Sequence, residues 1–585
     1  MRVLLINPPR PAHSLWNPDA ARLPPLALEY LAASPPPEAE VRILDAEADG
    51  LDASDVVGEA EAFQPDWVGL TALALPWVAT AVALSRQLKQ AGLSAPIAMG
   101  GAATTAVAPE IIASGCVDFV VQGEGEIAFR QLVSGADPRQ VAGLCYRDDG
   151  AVVSTPAASP LPDLDAHLPA RICDRARYTA FGKRLDAIES SRGSPTSGWR
   201  ARSAASVVGE IADLVSRGAE LIMVLDDHFM ADIGRVRHIC EELIQRQVRP
   251  WMWCHADVLA IRQQPEIVAK MREAGFVVQL LTVQPCDVAD ASRRDNLRQA
   301  VQALHECDVA LWATLLIDGL QPDRAQRWSM IEFARELDLE FAQIGFATPY
   351  PGTPLYDECR RKGLLLAHDW EDYNPHHRVC GEDVSPESAY ATLRELYKAY
   401  YLRQEFALPR MWTRLRAENP HLAKLIQVFN PAGIKTARDV VREGLLKSAW
   451  PTLLHHYCVP ATLAEWSELI AVLKPLVNAH LAQQFPAYST TVRMDTDIGS
   501  GSLAIVQGEV QAFSAQADGA DVALRLDNAA LRRLLIGLGA DPGPTLNGAH
   551  TAGSPEALSD FQRYVEALQT YLRSWCTCGA TVEPV

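Results

Sequence analysis

Through the first 135 residues, short aliphatic and branched runs alternate with longer stretches whose apolar positions recur every three or four residues. The runs "RVLLIN", "VRILDA", "DWVGLTAL", "PIAMGG" and "VDFVVQGEGE" read as strands, and the segments between them as helices. Strand alternating with helix predicts βαβ units and a doubly wound parallel α/β sheet. Such sheets bind ligands beyond the carboxyl ends of their strands. The unusual residues fall at those ends: Asn7, Pro8 and Pro9 after the first strand, Thr71 and Leu73 after the third, Gly100 and Gly101 after the fourth, and Gly123, Glu124, Gly125 and Glu126 after the fifth. Paired glycines lack Cβ atoms and let a large ligand approach the backbone.

Residues 136–183 read as a connector, with a hairpin "GLCYRDDGAVVSTP" turning at Asp148, Asp149 and Gly150 and a proline-containing crossing "SPLPDLDAHLP". Between 184 and 375 the alternation resumes in "ELIMVLDDHFM", "RPWMWCHADVLA", "FVVQLLTVQP", "VALWATLLIDGL" and "EFAQIGFATPYPGTPLYDE". A partial βα barrel is predicted, with functional side chains at strand carboxyl ends. Along "WMWCHAD", alternation places Trp251, Trp253 and His255 on one face and Met252 and Cys254 on the other. Either the tryptophan face meets the barrel interior, or the tryptophans pack under the helical layer and His255 caps them. Residues 376–484 read as helical, punctuated by Pro420, Pro431, Pro451 and Pro460, and residues 485–585 as a small α+β domain.

A chain of 585 residues exceeds one hydrophobic core and divides into about three or four domains. With 53 Lys and Arg against 72 Asp and Glu the formal charge is −19, which repels nucleic acid. No apolar run approaches the ~20 residues that span a bilayer. "MRVLLINPPR" is too short for a signal peptide, so a cytoplasmic location is expected. The 12 cysteines are scattered, which argues for reduced thiols; Cys576 and Cys578 read as exposed thiols on a tail. The pairs His376, His377 and His455, His456 point apart on a helix and lack companion ligands, so no metal site is expected.

Taken in order, "LLINPP", "PPLALEYLAA", "VGLTAL", "MGGAATTAVAPE" and "VDFVVQGEGE" closely resemble the cobalamin-binding domain of the cobalamin-dependent radical S-adenosylmethionine family. The resemblance implies a corrinoid whose nucleotide tail lies along the sheet edge near Gly100, Gly101 and residues 123–126, with residues 71–75 near the lower face of cobalt. The family lacks the Asp-x-His-x-x-Gly motif of other cobalamin proteins, and so does this chain, so cobalt is expected to lack that histidine. A flavodoxin-like sheet without its ligand fits the same strands. In the barrel, "LDDHF" and "TPYPGTPLYDE" match family signatures.

The family's cluster loop aligns with "ESSRGSPTSGWRA" through Glu189, Arg192, Gly193 and Pro195, and its three cysteine positions fall on Ser194, Gly198 and Ala201. Three thiolates hold a [4Fe–4S] cluster of this kind. Glycine and alanine offer no ligand atom, and a hydroxyl replaces a soft thiolate poorly, so no cluster is expected. The family's glycine- and glutamate-containing strand motif is also missing at "LLTVQPCDV", which leaves S-adenosylmethionine binding open. Asp227 and His228 at one strand end, and His255 near a position where relatives carry arginine, are the catalytic candidates. Arg192, Arg200 and Arg202 are candidates to bind a substrate carboxylate in the vacated volume, joined by Tyr350; three solvated surface arginines are the alternative.

From residue 485, the run "DVALRLDNAALRRLLIGL" is similar to sterol-carrier-like domains, which permits a hydrophobic substrate or a dimer contact and leaves the oligomeric state open. The reading is a cobalamin-dependent enzyme acting on a small organic metabolite, by methyl transfer or by cyclisation or rearrangement. A non-catalytic cobalamin carrier or sensor is the alternative.

Overall fold

The computed structural model describes residues 1–11, 22–180, 183–195, 198–320, 323–366, 369–381, 386–401, 463–514, 520–525 and 550–577. The chain separates into two compact units, Met1–Ala389 and Tyr390–Val585. In the first, strands β1 (Arg2–Asn7), β2 (Glu40–Asp45), β3 (Trp67–Thr71), β4 (Ile97–Gly100) and β5 (Phe119–Val121) pair in parallel in the order β2-β1-β3-β4-β5. Strand β1 sends Leu4 and Ile6 into one core and Val3 and Leu5 into another. Both faces are covered over β1, β3, β4 and β5, which is why these read as apolar runs, whereas the edge strand β2 carries Glu40 and Arg42.

The hairpin β6 (Leu144–Asp148) and β7 (Ala151–Ser154) turns through Asp149 and Gly150 at φ 46° and 85°, the left-handed pair that a two-residue turn needs. It does more than connect: β6 pairs antiparallel with β5 and extends the sheet to seven strands. Without it β5 would present an open edge.

Next come β8 (Thr179–Ala180), β9 (Lys183–Ile188), a small hairpin of β10 (Ser191–Arg192) and β11 (Arg200–Ala201), and strands β12 (Leu221–Val224), β13 (Trp251–His255), β14 (Phe276–Val283), β15 (Ala310–Ile317) and β16 (Phe341–Phe346). Six of them run parallel in sequence order from β9 to β16, with β8 antiparallel at the edge, forming an open partial barrel. Trp253 stands 6.0 Å from Trp312, which packs edge-on against Phe341 at 4.6 Å. Cys254 faces the other way, near Cys240 of the helix Ile233–Gln245. The tryptophan face therefore meets the barrel interior and not the helical layer. Beyond β16, Tyr350, Tyr356 and Trp370 return to pack on the core of the first sheet.

The second unit packs the helices Leu463–Gln484 and Pro555–Thr577 against β17 (Thr490–Thr496), β18 (Gly499–Val506), β19 (Glu509–Ser514), β20 (Val522–Arg525) and β21 (His550–Gly553), in the order β19-β18-β17-β20-β21. Trp466, Val477, Leu503 and Phe561 line an apolar pocket in it. The buried amide of Asn478 donates to the Val510 carbonyl at 2.9 Å and accepts its N–H at 3.0 Å, fixing helix to strand. The helix expected after "ALRLD", the four prolines from 420 to 460, His455, His456 and Cys578 lie outside the described residues. Among the described residues nine cysteines are free thiols, no helix is long and apolar enough to cross a membrane, and no three ligating side chains gather at a metal site.

Candidate functional site

The carboxyl edge of the first sheet is shaped by its loops. Asn7 donates to Asp45 at 2.7 Å, and the Tyr178 hydroxyl donates to the other carboxylate oxygen at 2.9 Å. Burial pushes the Asp45 carboxyl above its usual range. Asn7 is thus a brace for the loop, with Pro8 buried beside it and Pro9 half-buried. Thr71 ends β3 opposite Gly100, and Leu73, two residues on, is 75% exposed, more than any other large apolar side chain among the described residues. A Cβ on Gly100 would meet only Val121, at 3.9 Å, and one on Gly123 would meet nothing within 4 Å.

Gly101 differs from both. Its φ is 128° and a Cβ there would stand 2.3 Å from the Ala72 carbonyl oxygen, so this glycine lets two loops of the protein touch each other. The expectation that Gly101 clears space for a ligand gives way to this internal contact. The Thr104 hydroxyl donates to the Gly101 carbonyl at 2.8 Å, and Thr105 accepts from the Gly123 N–H at 3.2 Å. One loop therefore braces its two neighbours. At Gly100 and Gly123 the backbone has room for added atoms, a cradle at the carboxyl edge of the sheet, on whose third-strand loop Leu73 is exposed.

The two acidic residues next to Gly123 turn away from the cradle. Glu124 accepts from Arg200 at 2.5 Å and from the Leu161 N–H at 2.6 Å; Glu126, buried beside Gly125, pairs with Arg192 at 2.8 Å. Burial opposes ionisation of Glu124, but Arg200, the Leu161 N–H and Arg192 outweigh it and hold its carboxyl below the usual range. Arg192 also pairs with Glu189 at 2.7 Å and lies 5.0 Å over the Tyr30 ring. Arg202, 2% exposed, pairs with Glu210 and donates to the Glu189 carbonyl at 3.1 Å. All three arginines expected to receive a substrate carboxylate already meet carboxylates of this chain. Their partners lie up to 76 residues away, beyond any local pattern.

The loop itself closes on itself. Ser191 pairs with Ala201 and Arg192 with Arg200 across the hairpin, and a Cβ on Gly193, at φ 82°, would stand 2.6 Å from the Gly198 carbonyl oxygen. Asp226 clamps its base, accepting the Ser190 N–H and both the Ser190 and Ser191 hydroxyls at 2.6 Å each. Arg235 adds donations to the Ser190 and Arg202 carbonyls, both at 2.8 Å. Asp227, one residue on, is exposed. It approaches His255 together with His228 and Asp226, and burial lowers the His255 imidazole below its ordinary value although both carboxylates favour its charge. Tyr350 packs on the first sheet's core.

Sequence reasoning overlooked the barrel's inner rows. Register places His255, Leu280, Trp312 and Phe341 at one level and Thr282, Thr314 and Gln343 two residues nearer the carboxyl end. The upper three are at least partly exposed. The signal was available: each polar residue stands in phase with an apolar one along its strand.

Residues 19–133 match the family model of the B12 binding domain. An uncharacterized methyltransferase of Pyrococcus horikoshii is 26% identical over 69% of this chain and 93% of its own length. The anaerobic magnesium-protoporphyrin IX monomethyl ester cyclase of Rubrivivax gelatinosus is 26% identical over 74% of this chain and 83% of its own. Among solved structures, the radical S-adenosylmethionine methyltransferase TsrM of Kitasatospora setae, with cobalamin and a [4Fe–4S] cluster bound, superposes with a TM-score of 0.52 at 18% identity, over 68% of this chain and 90% of that one. The cobalamin-dependent S-adenosylmethionine radical enzyme OxsB, with aqua-cobalamin bound, gives 0.53 at 15% identity, over 82% and 76%. The chain thus carries a B12-binding domain, shares the fold of cobalamin-dependent radical S-adenosylmethionine enzymes, and is homologous to proteins named as methyltransferases and cyclases.

Proposed function

We propose that this protein is a cobalamin-dependent enzyme that acts on a small organic molecule without a [4Fe–4S] cluster, by methyl transfer or by cyclisation or rearrangement. The observation that carries the reading is the cradle at the sheet's carboxyl edge, where Gly100 and Gly123 leave the backbone open and Leu73 is exposed. A bound cobalamin supplies a cobalt–carbon bond that can break heterolytically or homolytically. Gly100 and Gly123 would leave room for its tail, and the exposed Leu73 would offer it an apolar contact. Ser194, Gly198 and Ala201 offer no thiolates at the positions where the family resemblance implies cluster ligands, and the hairpin that carries this loop is tied by Asp226 and by arginine–carboxylate pairs.

On the barrel side, His255 accepts or returns a proton at an imidazole nitrogen, since burial favours its neutral form. Thr282, Thr314 and Gln343 orient the substrate through hydroxyl and amide groups. Because the mouth arginines are already neutralised, an uncharged organic substrate fits better than a carboxylate.

Titration with hydroxocobalamin, followed by absorbance, tests the cradle. The wild-type chain is expected to bind about one equivalent, and Gly100→Val to weaken binding by about tenfold or more while melting normally. Gly101→Val is the wrong probe, since its Cβ collides with Ala72 and distorts the loop first. A Gly100→Val chain that binds as well as wild type would move the corrinoid tail away from this edge.

A further inference from the structure

We infer that Arg192 and Arg200 are positioning residues for the corrinoid, acting from the barrel loop through Glu126 and Glu124; the inference rests on the cobalamin reading above. The hairpin that carries them has only two residue pairs, Ser191 with Ala201 and Arg192 with Arg200. An isolated hairpin is marginal even when long, and two like charges directly opposed across its strands destabilise it further. This hairpin therefore depends on carboxylates supplied from elsewhere. Arg192 finds Glu126 at 2.8 Å as well as Glu189 at 2.7 Å, and Arg200 finds Glu124 at 2.5 Å.

The dependence runs in the other direction too. Residues 122–125 form one rim of the cradle, and Gly123 has no side chain to anchor it. Thr105 accepts the Gly123 N–H and the Gln122 amide, and Glu124 adds a further anchor by accepting both Arg200 and the Leu161 N–H, while Arg200 donates to the Leu161 carbonyl at 2.6 Å. Three groups close a ring: carboxylate, guanidinium and the Leu161 peptide. Removing Arg200 opens the ring, and removing Arg192 leaves the buried Glu126 without its cation. Because each loop orders the other, a ligand that orders the rim must also order the hairpin, by the reciprocity of coupled equilibria. In this chain the pairs take over the task of fixing a loop that carries Ser194, Gly198 and Ala201.

The test uses the full chain with hydroxocobalamin as probe. Arg200→Ala and Glu124→Gln are each expected to weaken binding by about tenfold, and the double variant no more than either single, because one ring is lost in all three. Arg200→Lys, which keeps the charge but not the forked geometry, is expected to recover part of the affinity. Hydrogen exchange supplies the second readout: the probe is expected to slow exchange in residues 189–202 of the wild type and not of Glu124→Gln. Fully additive penalties, single variants that bind as wild type does, or equal protection of that segment in Glu124→Gln would overturn the inference. A wild-type chain that binds no hydroxocobalamin would instead overturn the cobalamin reading on which it rests.

Discussion

Asp226→Ala is expected to destabilise the first unit by about 3 kcal/mol, measured as the shift of its urea unfolding transition, while Asp227→Ala changes it by less than about 0.5 kcal/mol. The two residues are neighbours in sequence with opposite surroundings. Asp226 is 2% exposed and accepts three hydrogen bonds from Ser190 and Ser191. Alanine leaves the Ser190 N–H buried without an acceptor, and the two hydroxyls lose a charged partner. Arg235, attracted by the same carboxylate, is left with its two carbonyl partners and the carboxylates of Asp232 and Asp165. Equal small effects from both substitutions would show that the clamp does not hold the loop. If Asp227 instead serves His255, its loss will appear in turnover and not in stability.

Arg171→Met is expected to cost about 3 kcal/mol at pH 7, because Glu29, Asp186 and Glu210 lose the cation they share and keep only Arg175 and Arg202. Arg171 is 7% exposed at its side chain and reaches Glu29 at 3.6 Å, Asp186 at 2.9 Å and Glu210 at 2.5 Å, with a further donation to the Ala187 carbonyl at 2.9 Å. Its backbone stands at φ 52°, a left-handed conformation that a non-glycine residue keeps only where its surroundings demand it. Burial raises the Asp186 carboxyl above its usual range even with Arg171 and Arg175 beside it. For an acid whose folded value is raised, the charged form costs stability above that value and the cost disappears below it. Loss of Arg171 raises it further, so the Arg171→Met penalty is expected to shrink as the pH falls from 7 toward the ordinary carboxylate range. A penalty that is constant across this range would mean that the carboxylates remain paired through Arg175 and Arg202.

Five strands of the first sheet and five of the barrel were legible as runs rich in aliphatic residues, but β9 was not, because Lys183, Arg184 and Asp186 interrupt its pattern. The two-residue turn at Asp149 and Gly150 was legible for the same local reason, but the pairing of its hairpin with β5 was not. That pairing satisfies a sheet edge, which no local pattern records. Charge showed the same limit more sharply. Three arginines within eleven residues read as a free cationic patch, yet Arg200 meets Glu124 from 76 residues away, and Arg175 reaches Glu29 across 146. Gly101 was recognised as a position that requires glycine, with the wrong neighbour assigned to it. Thr282, Thr314 and Gln343 escaped notice because each is unremarkable alone, and only the strand register brings them to one level.

Metal analysis after anaerobic reconstitution with iron, sulfide and hydroxocobalamin tests the central claim most directly. On the function proposed above, about one cobalt per chain and no stoichiometric iron are expected, because the family resemblance puts its three thiolate positions on Ser194, Gly198 and Ala201. About four irons per chain with matching sulfide would contradict it, and a chain that retains no cobalt would contradict the cradle as well.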